Sequence, residues 1–206
     1  DNEDGTCTLA GVYRGLLDTV PATHAAGARL WVGYTGQGTT QDTYGAGAIV
    51  STKLVTATPK GVLDDDDAAT LTTTIADRAL RPYPPGDMKL NGSAWPSAPC
   101  ADPELVVTWA HRSRTGQSGA VDQGAASVGP EATQTYTLRI YGDAGALKRT
   151  VTGLTGETYT YSAADELADN GAAYNTAFRV ELESVRAGLT STYRHDRSCT
   201  FAVRVP

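Results

Sequence analysis

Cysteine, histidine and long apolar runs are all scarce in this chain of 206 residues, and each scarcity removes a class of function. The three cysteines, Cys7, Cys100 and Cys199, are odd in number and show no Cys-x-x-Cys spacing, which argues against a structural zinc site. The three histidines, His24, His111 and His195, lie far apart without a His-x-x-x-His pair, so they read as surface or interface residues. No apolar run approaches the roughly 20 residues of a membrane-spanning helix, and no basic-then-apolar leader is present. No Gly-x-Ser-x-Gly elbow marks a nucleophile. Asp165 and Glu166 are adjacent on a short helical turn and point in different directions, so they do not form a carboxylate pair for glycoside cleavage. Asp64 to Asp67 are contiguous, whereas a calcium loop spaces its ligands around a glycine, and they read as a solvated, self-repelling turn. The expectation is a chain without catalysis, cofactor or metal.

Charge points the same way. The net charge is −6, with seven Lys/Arg against eleven Asp/Glu through residue 94 and ten against twelve beyond it. Neither half carries the basic footprint of a nucleic-acid binder. The first residue is Asp1 and not Met, so a processed chain or a piece of a longer one is expected.

What is present is strand alternation. In LVVTWAHR, TYTLRIY, FRVELESV and TFAVRV every second side chain is apolar: Leu105, Val107, Trp109; Tyr136, Leu138, Ile140; Phe178, Val180, Leu182; Phe201, Val203, Val205. A period of two is one face of a half-buried strand, so residues 95–206 are predicted to form a β-sandwich. Ala146 to Ser162 adds two short strands about Gly153 and Gly156. Ser162 to Gly171 reads as one or two helical turns, with Ser162 as cap and Asn170-Gly171 as stop. Residues 1–80 are predicted to be a small all-β domain of four to six strands, including one at Leu30 to Tyr34. Pro82, Pro84 and Pro85 make residues 81–94 a stiff connector or an edge strand.

Several ordered blocks, GVYRGLLDTVPATHAAGARLWVGY, RALRPYPP, LVVTWAHRSR, TYTLRIY and ETYTYSAADELADNGAAYNTAFRVELESV, resemble the C-terminal region of tail-tip hub proteins of long-tailed bacteriophages and gene-transfer-agent particles. The resemblance runs from Gly11 to Phe201. It implies a fibronectin type III-like module over residues 95–206, with Trp109 as the core tryptophan of the second strand and Tyr136 as the aromatic of the third. The chain departs from that pattern at Phe178-Arg179-Val180, where a tyrosine corner would place Tyr. The implied function is structural: a component of the baseplate hub at the distal end of the tail in the virion. Its implied partners are other tail-tip proteins, further copies of itself as in a trimer, and a glycan or protein receptor on the host surface. The alternative is a carbohydrate-binding or spacer module of a secreted bacterial glycoside hydrolase.

Candidate contact residues are few. His111 to Arg114 and Tyr193 to Arg197 are the most concentrated cationic segments, which puts Arg112, Arg114, Tyr193, Arg194, His195 and Arg197 either in a polar contact patch or at charged loop ends. Trp31, opposite Val32, is a further interface candidate, and Trp95 is expected to pack between the two domains. Cys100 and Cys199 precede the first and last sandwich strands. They are either a disulfide or two separate thiols packed as small apolar groups.

Overall fold

The computed structural model describes residues 8–29, 42–171 and 173–204. Its regular structure is mostly antiparallel β, as expected, with one short α-helix. Among the described residues, no helix is long and apolar enough to cross a membrane. Chain contacts define two units, one of residues 24–80 and a larger one of residues 81–206 together with the segment before residue 24. That segment was expected to belong with residues 24–80. It groups instead with the larger unit because Gln123 N donates to Arg14 O (3.1 Å), Arg14 N donates to Asp122 (3.1 Å) and Arg197 donates to Pro21 O (3.0 Å).

The smaller unit is a ribbon. Strand β1 (Ile49–Lys53) pairs antiparallel with β4 (Thr70–Thr74), and between them β2 (Ala57–Thr58) and β3 (Gly61–Val62) form a hairpin about Pro59-Lys60. The aspartate run forms an exposed turn, with Asp67 N bonded to Asp64 O and Lys53 Nζ donating to Asp65 O at 2.6 Å. The predicted strand at residues 30–34 lies outside the described residues, as do Trp31 and Cys7.

In the larger unit the prolines do not make a free connector. Pro82, Pro84 and Pro85 are buried and lead into β5 (Gly86–Leu90), the edge strand of a three-stranded sheet of order β5-β6-β9, completed by β6 (Leu105–Ala110) and β9 (Thr158–Tyr161). An edge tolerates proline because it has one side without ladder bonds. The second sheet joins β7 (Thr135–Tyr141), β8 (Leu147–Leu154), β10 (Ala177–Arg186), β11 (Leu189–Thr190) and β12 (His195–Thr200), with β10 pairing β7, β11 and β12. Met88, Leu90, Leu105, Val107, Trp109 and Tyr161 from the first sheet meet Tyr136, Leu138, Ile140, Phe178, Val180 and Leu182 from the second in one core. Each large apolar side chain buried there contributes roughly 1.5–3 kcal/mol. Trp109 meets Tyr136 edge-on at 5.5 Å, and Phe178 meets Tyr161 and Phe201 likewise at 5.9 and 5.4 Å.

Helix α1 (Ala163–Asn170) follows its sequence signals: the Ser162 side chain accepts from Asp165 N, and Gly171 takes the left-handed C-cap conformation. Arg149 holds its outer face, with bonds of 2.8 and 3.1 Å to Asp169 and 2.7 Å to Asp165, while Tyr161 donates to Asp169 at 2.8 Å.

The last strand is a correction. TFAVRV was expected to close the sheet, with the preceding residues as loop. Instead β12 runs over HDRSCT, and its inward residues are His195, Arg197 and Cys199. Phe201 points inward as expected, but Val203 is 87 % exposed. After Thr200 the chain leaves β10 and follows Cys100 in a parallel bridge, with Ala202 N donating to Cys100 O. Arg204 fastens this end through Glu166 (3.0 Å), Pro103 O (2.6 Å) and Asn175 O (2.9 Å).

Truncating an inward residue of β10 should therefore cost far more than truncating the apolar residue beyond β12. Leu182→Ala is expected to lose about 2–5 kcal/mol in chemical denaturation, and Val203→Ala no more than about 0.5 kcal/mol.

Candidate functional site

Arg112 shows how the first cationic segment is used. It is 3 % exposed, and its guanidinium donates to five backbone carbonyls, those of His111, Asp122, Gln123, Ala125 and Ala126, at 2.9 to 3.2 Å. The group lies flat on Gly86, where any Cβ would overlap it. Burial lowers its pKa, opposed by the charges of Asp87 and Asp122.

The backbone beside it is bent to fit. β5 carries a register shift between Gly86 and Lys89, and Asp87 takes a left-handed φ of 46°. Asp87 N–H is thereby aimed at Gln123, donating to its backbone carbonyl at 2.6 Å and its side-chain oxygen at 2.9 Å. Gln123 returns a bond to Pro85 O (3.3 Å), which also accepts from His195 Nε2 (2.7 Å).

The expected contact patch is thus taken apart. Arg112, His195 and Arg197 are buried, because the alternation of β12 turns His195 and Arg197 inward and the long loop after β6 closes over Arg112. Arg114 Nε bonds the buried Glu131 at 3.2 Å, and Arg186 approaches the same carboxylate at 3.3 Å. Tyr193 and Arg194 do reach the surface, the latter 3.5 Å from Glu181. Glu181 also accepts from Arg179 (2.6 Å) and Tyr141 (3.1 Å), and although burial opposes its ionisation, these donors and the Arg194 charge hold its pKa below the usual range. The outer face of the second sheet is a ladder of paired charges.

His111, Asp165 and Glu166 also serve the fold. His24 is exposed, as expected, but His111 stacks on Tyr136 at 5.6 Å, its Nδ1 2.6 Å from the tyrosine hydroxyl. The hydroxyl accepts from Gln134 (3.2 Å), leaving its own proton for His111, and burial raises its pKa. Asp165 and Glu166 diverge as expected: Asp165 faces Arg149, and buried Glu166 accepts from Asn175 N and Nδ2 and from Arg204. Among the described residues, no group of three His, Cys, Asp or Glu side chains is placed to hold a metal ion. Cys100 and Cys199 are free thiols hydrogen-bonded to each other, and burial pushes Cys199 up to about 12.

A feature that sequence reasoning missed lies beside β12. A cavity of about 310 Å³ is lined by Arg14, Asp87, Trp95, Asp122, His195 and Arg197 among others. Trp95, expected between domains, is 41 % exposed, and the Arg197 guanidinium lies 3.7 Å over its ring centroid. Arg197 Nε and His195 Nδ1 are buried without hydrogen-bond partners among the described residues. The sequence held no signal for it, because HDRSCT carries no apolar alternation to set its inward residues apart from the outward ones.

No protein-family model matches the chain, and no curated protein sequence is significantly similar to it.

Two predictions follow from the buried groups. Burial, reinforced by the charges of Arg197 and Arg112, lowers His195 from its ordinary 6.5 to about 4 against the bond to Pro85 O. The unfolded imidazole therefore binds a proton between pH 6.5 and 4 that the folded one refuses. Its contribution is complete above pH 6.5 and is lost as pH falls toward 4, a loss on the order of 3 kcal/mol. Urea titrations at the two pH values should show that excess loss in the native protein over His195→Gln. For the cysteines, incubation with oxidised glutathione should join Cys100 to Cys199, slowly because the thiolates are scarce, with two glutathione thiols released. The bond should stabilise the chain by about 2–4 kcal/mol, and Cys199→Ser should show no such gain in thermal melts.

Proposed function

We propose that this chain is a structural, non-catalytic component of the tail tip of a long-tailed bacteriophage or gene-transfer-agent particle, corresponding to the C-terminal region of a hub protein. Residues 81–206 form its fibronectin type III-like sandwich. Its partners are neighbouring tail-tip proteins and further copies of the chain, with attachment at the host surface as the outcome, and its location is the distal end of the tail.

The strand order carries the reading. Sheet β5-β6-β9 shares one core with β8-β7-β10-β12, and Trp109 lies on the second strand of the unit. That is the arrangement expected of a fibronectin-like module, and it falls within the blocks that resemble the hub proteins. The missing corner tyrosine has a counterpart in function, since Tyr161 ties the β9 end to α1 through Asp169.

The smaller unit supports an assembly role. Ile49 (71 % exposed) and Leu71 (64 %) lie on opposite faces of the β1–β4 ribbon, and Ala68 is the one buried apolar residue among those described in this unit. A two-stranded ribbon is marginal by itself in water, and exposed apolar surface on both faces favours a neighbour that covers it.

Cryo-electron microscopy of the particle that carries this chain tests the proposal. Density for residues 81–206 at the distal end of the tail, outside the central ring, is the expected result; recovery of the chain only as a free secreted protein overturns it. The double variant Ile49→Asp, Leu71→Asp should reduce incorporation into particles at least about tenfold, while the thermal transition of the larger unit stays within about 2 °C.

A further inference from the structure

We propose that the cavity beside β12 is a binding site for a single pyranose ring of a neutral saccharide. Its volume, about 310 Å³, is at the lower end of small-molecule sites and suits one sugar ring. The charges on its wall cancel: Arg14 and Arg197 face Asp87 and Asp122, while His195 is uncharged at neutral pH. A phosphate or carboxylate ligand would meet two aspartates, and a cation would meet two arginines, so the balance favours an uncharged ligand.

The hydrogen-bonding capacity left over defines the chemistry further. Arg197 gives one N–H of each terminal nitrogen to Asp196 O and Pro21 O, both at 3.0 Å, and its buried Nε–H has no partner among the described residues. His195 donates from Nε2 to Pro85 O, which leaves Nδ1 as an acceptor, also without a partner. Asp87 accepts from Lys89 (2.7 Å) at one oxygen, and Asp122 accepts at both, from Gly124 N (2.9 Å) and Arg14 N (3.1 Å), so each carboxylate retains lone pairs. A sugar hydroxyl both donates and accepts, so a ring bearing several satisfies separated donors and acceptors at once. Half-exposed Trp95, oriented by Arg197, supplies the apolar surface for the C–H face of the ring. Arg197 Nε and His195 Nδ1 are themselves closed off from solvent, so the aspartate lone pairs and the Trp95 ring are the groups a sugar meets.

The site rests on the geometry of the larger unit alone and deepens the attachment reading by naming what the surface would hold. The test uses the full chain labelled with 5-fluorotryptophan and millimolar glucose, galactose, mannose and N-acetylglucosamine, followed by fluorine NMR. The Trp95 resonance, assigned with Trp95→Phe, should shift saturably with at least one sugar while the Trp109 resonance stays fixed. In saturation-transfer experiments Trp95→Ala should weaken binding about tenfold or more, with Tyr193→Ala unchanged. No saturable shift with any sugar overturns the site, as does a saturable shift with N-acetylglycine N-methylamide in its place, which would mark a peptide groove. A second arm compares bacterial surface polysaccharide with xylan and cellulose. Retention on the former joins the site to host attachment; retention on the latter leaves the pyranose site standing and overturns the tail-tip reading.

Discussion

One buried guanidinium organises the larger unit. The loop between β6 and β7 is long, rich in glycine and alanine, and offers few apolar side chains to hold it down. Arg112 substitutes for a core there by gathering five carbonyl dipoles around a single positive charge. A buried cation is costly without compensation, and the guanidinium, which keeps its charge and presents five donors in a plane, is the side chain suited to being compensated by carbonyls. Its flat seat on Gly86 requires a residue without Cβ at the start of β5.

From that contact the neighbouring elements take their places. Gln123, positioned by the loop, bonds Asp87, Pro85 and Arg14, and so links the edge strand to the segment before residue 24. Pro85 O receives His195 from β12. Gly15, at a φ of +63°, lets the segment pass close to Gln123, where a Cβ would come within 2.7 Å of its side chain. Pro85, at the end of the proline run, is thereby held by Gln123 from the loop and His195 from β12.

The opposite end of the same core is held differently. Glu166, Asn175 and Arg204 form a buried ionic cluster beneath Tyr174 and Phe201, and Arg149 binds α1 to β8. These groups pair with one another, with Arg204 Nε left buried and unbonded among the described residues. At β12 the inward polar groups are left partly unmatched, and the cavity is found there.

Alternation and capping could be read from the chain directly, because both are local. Leu105, Val107, Trp109 and their counterparts on β7 and β10 face the core as their spacing required, and Ser162 and Gly171 bound α1. The sequence by itself determined the all-β class, most of the inward faces and the helix, since a two-residue period and a cap need only near neighbours. The tertiary structure alone decided which polar residues are interior. His195, Arg197 and Arg112 look like surface charges until the carbonyls of Pro85 and Pro21, distant in sequence, and those of Asp122, Gln123, Ala125 and Ala126, across the loop, come within hydrogen-bond reach. Carbonyl acceptors carry no residue signature, so a buried cation that uses them leaves no complementary pattern in the sequence. The cavity beside Trp95 was hidden for the same reason, being assembled from a segment before residue 24, an edge strand, a loop and the last strand.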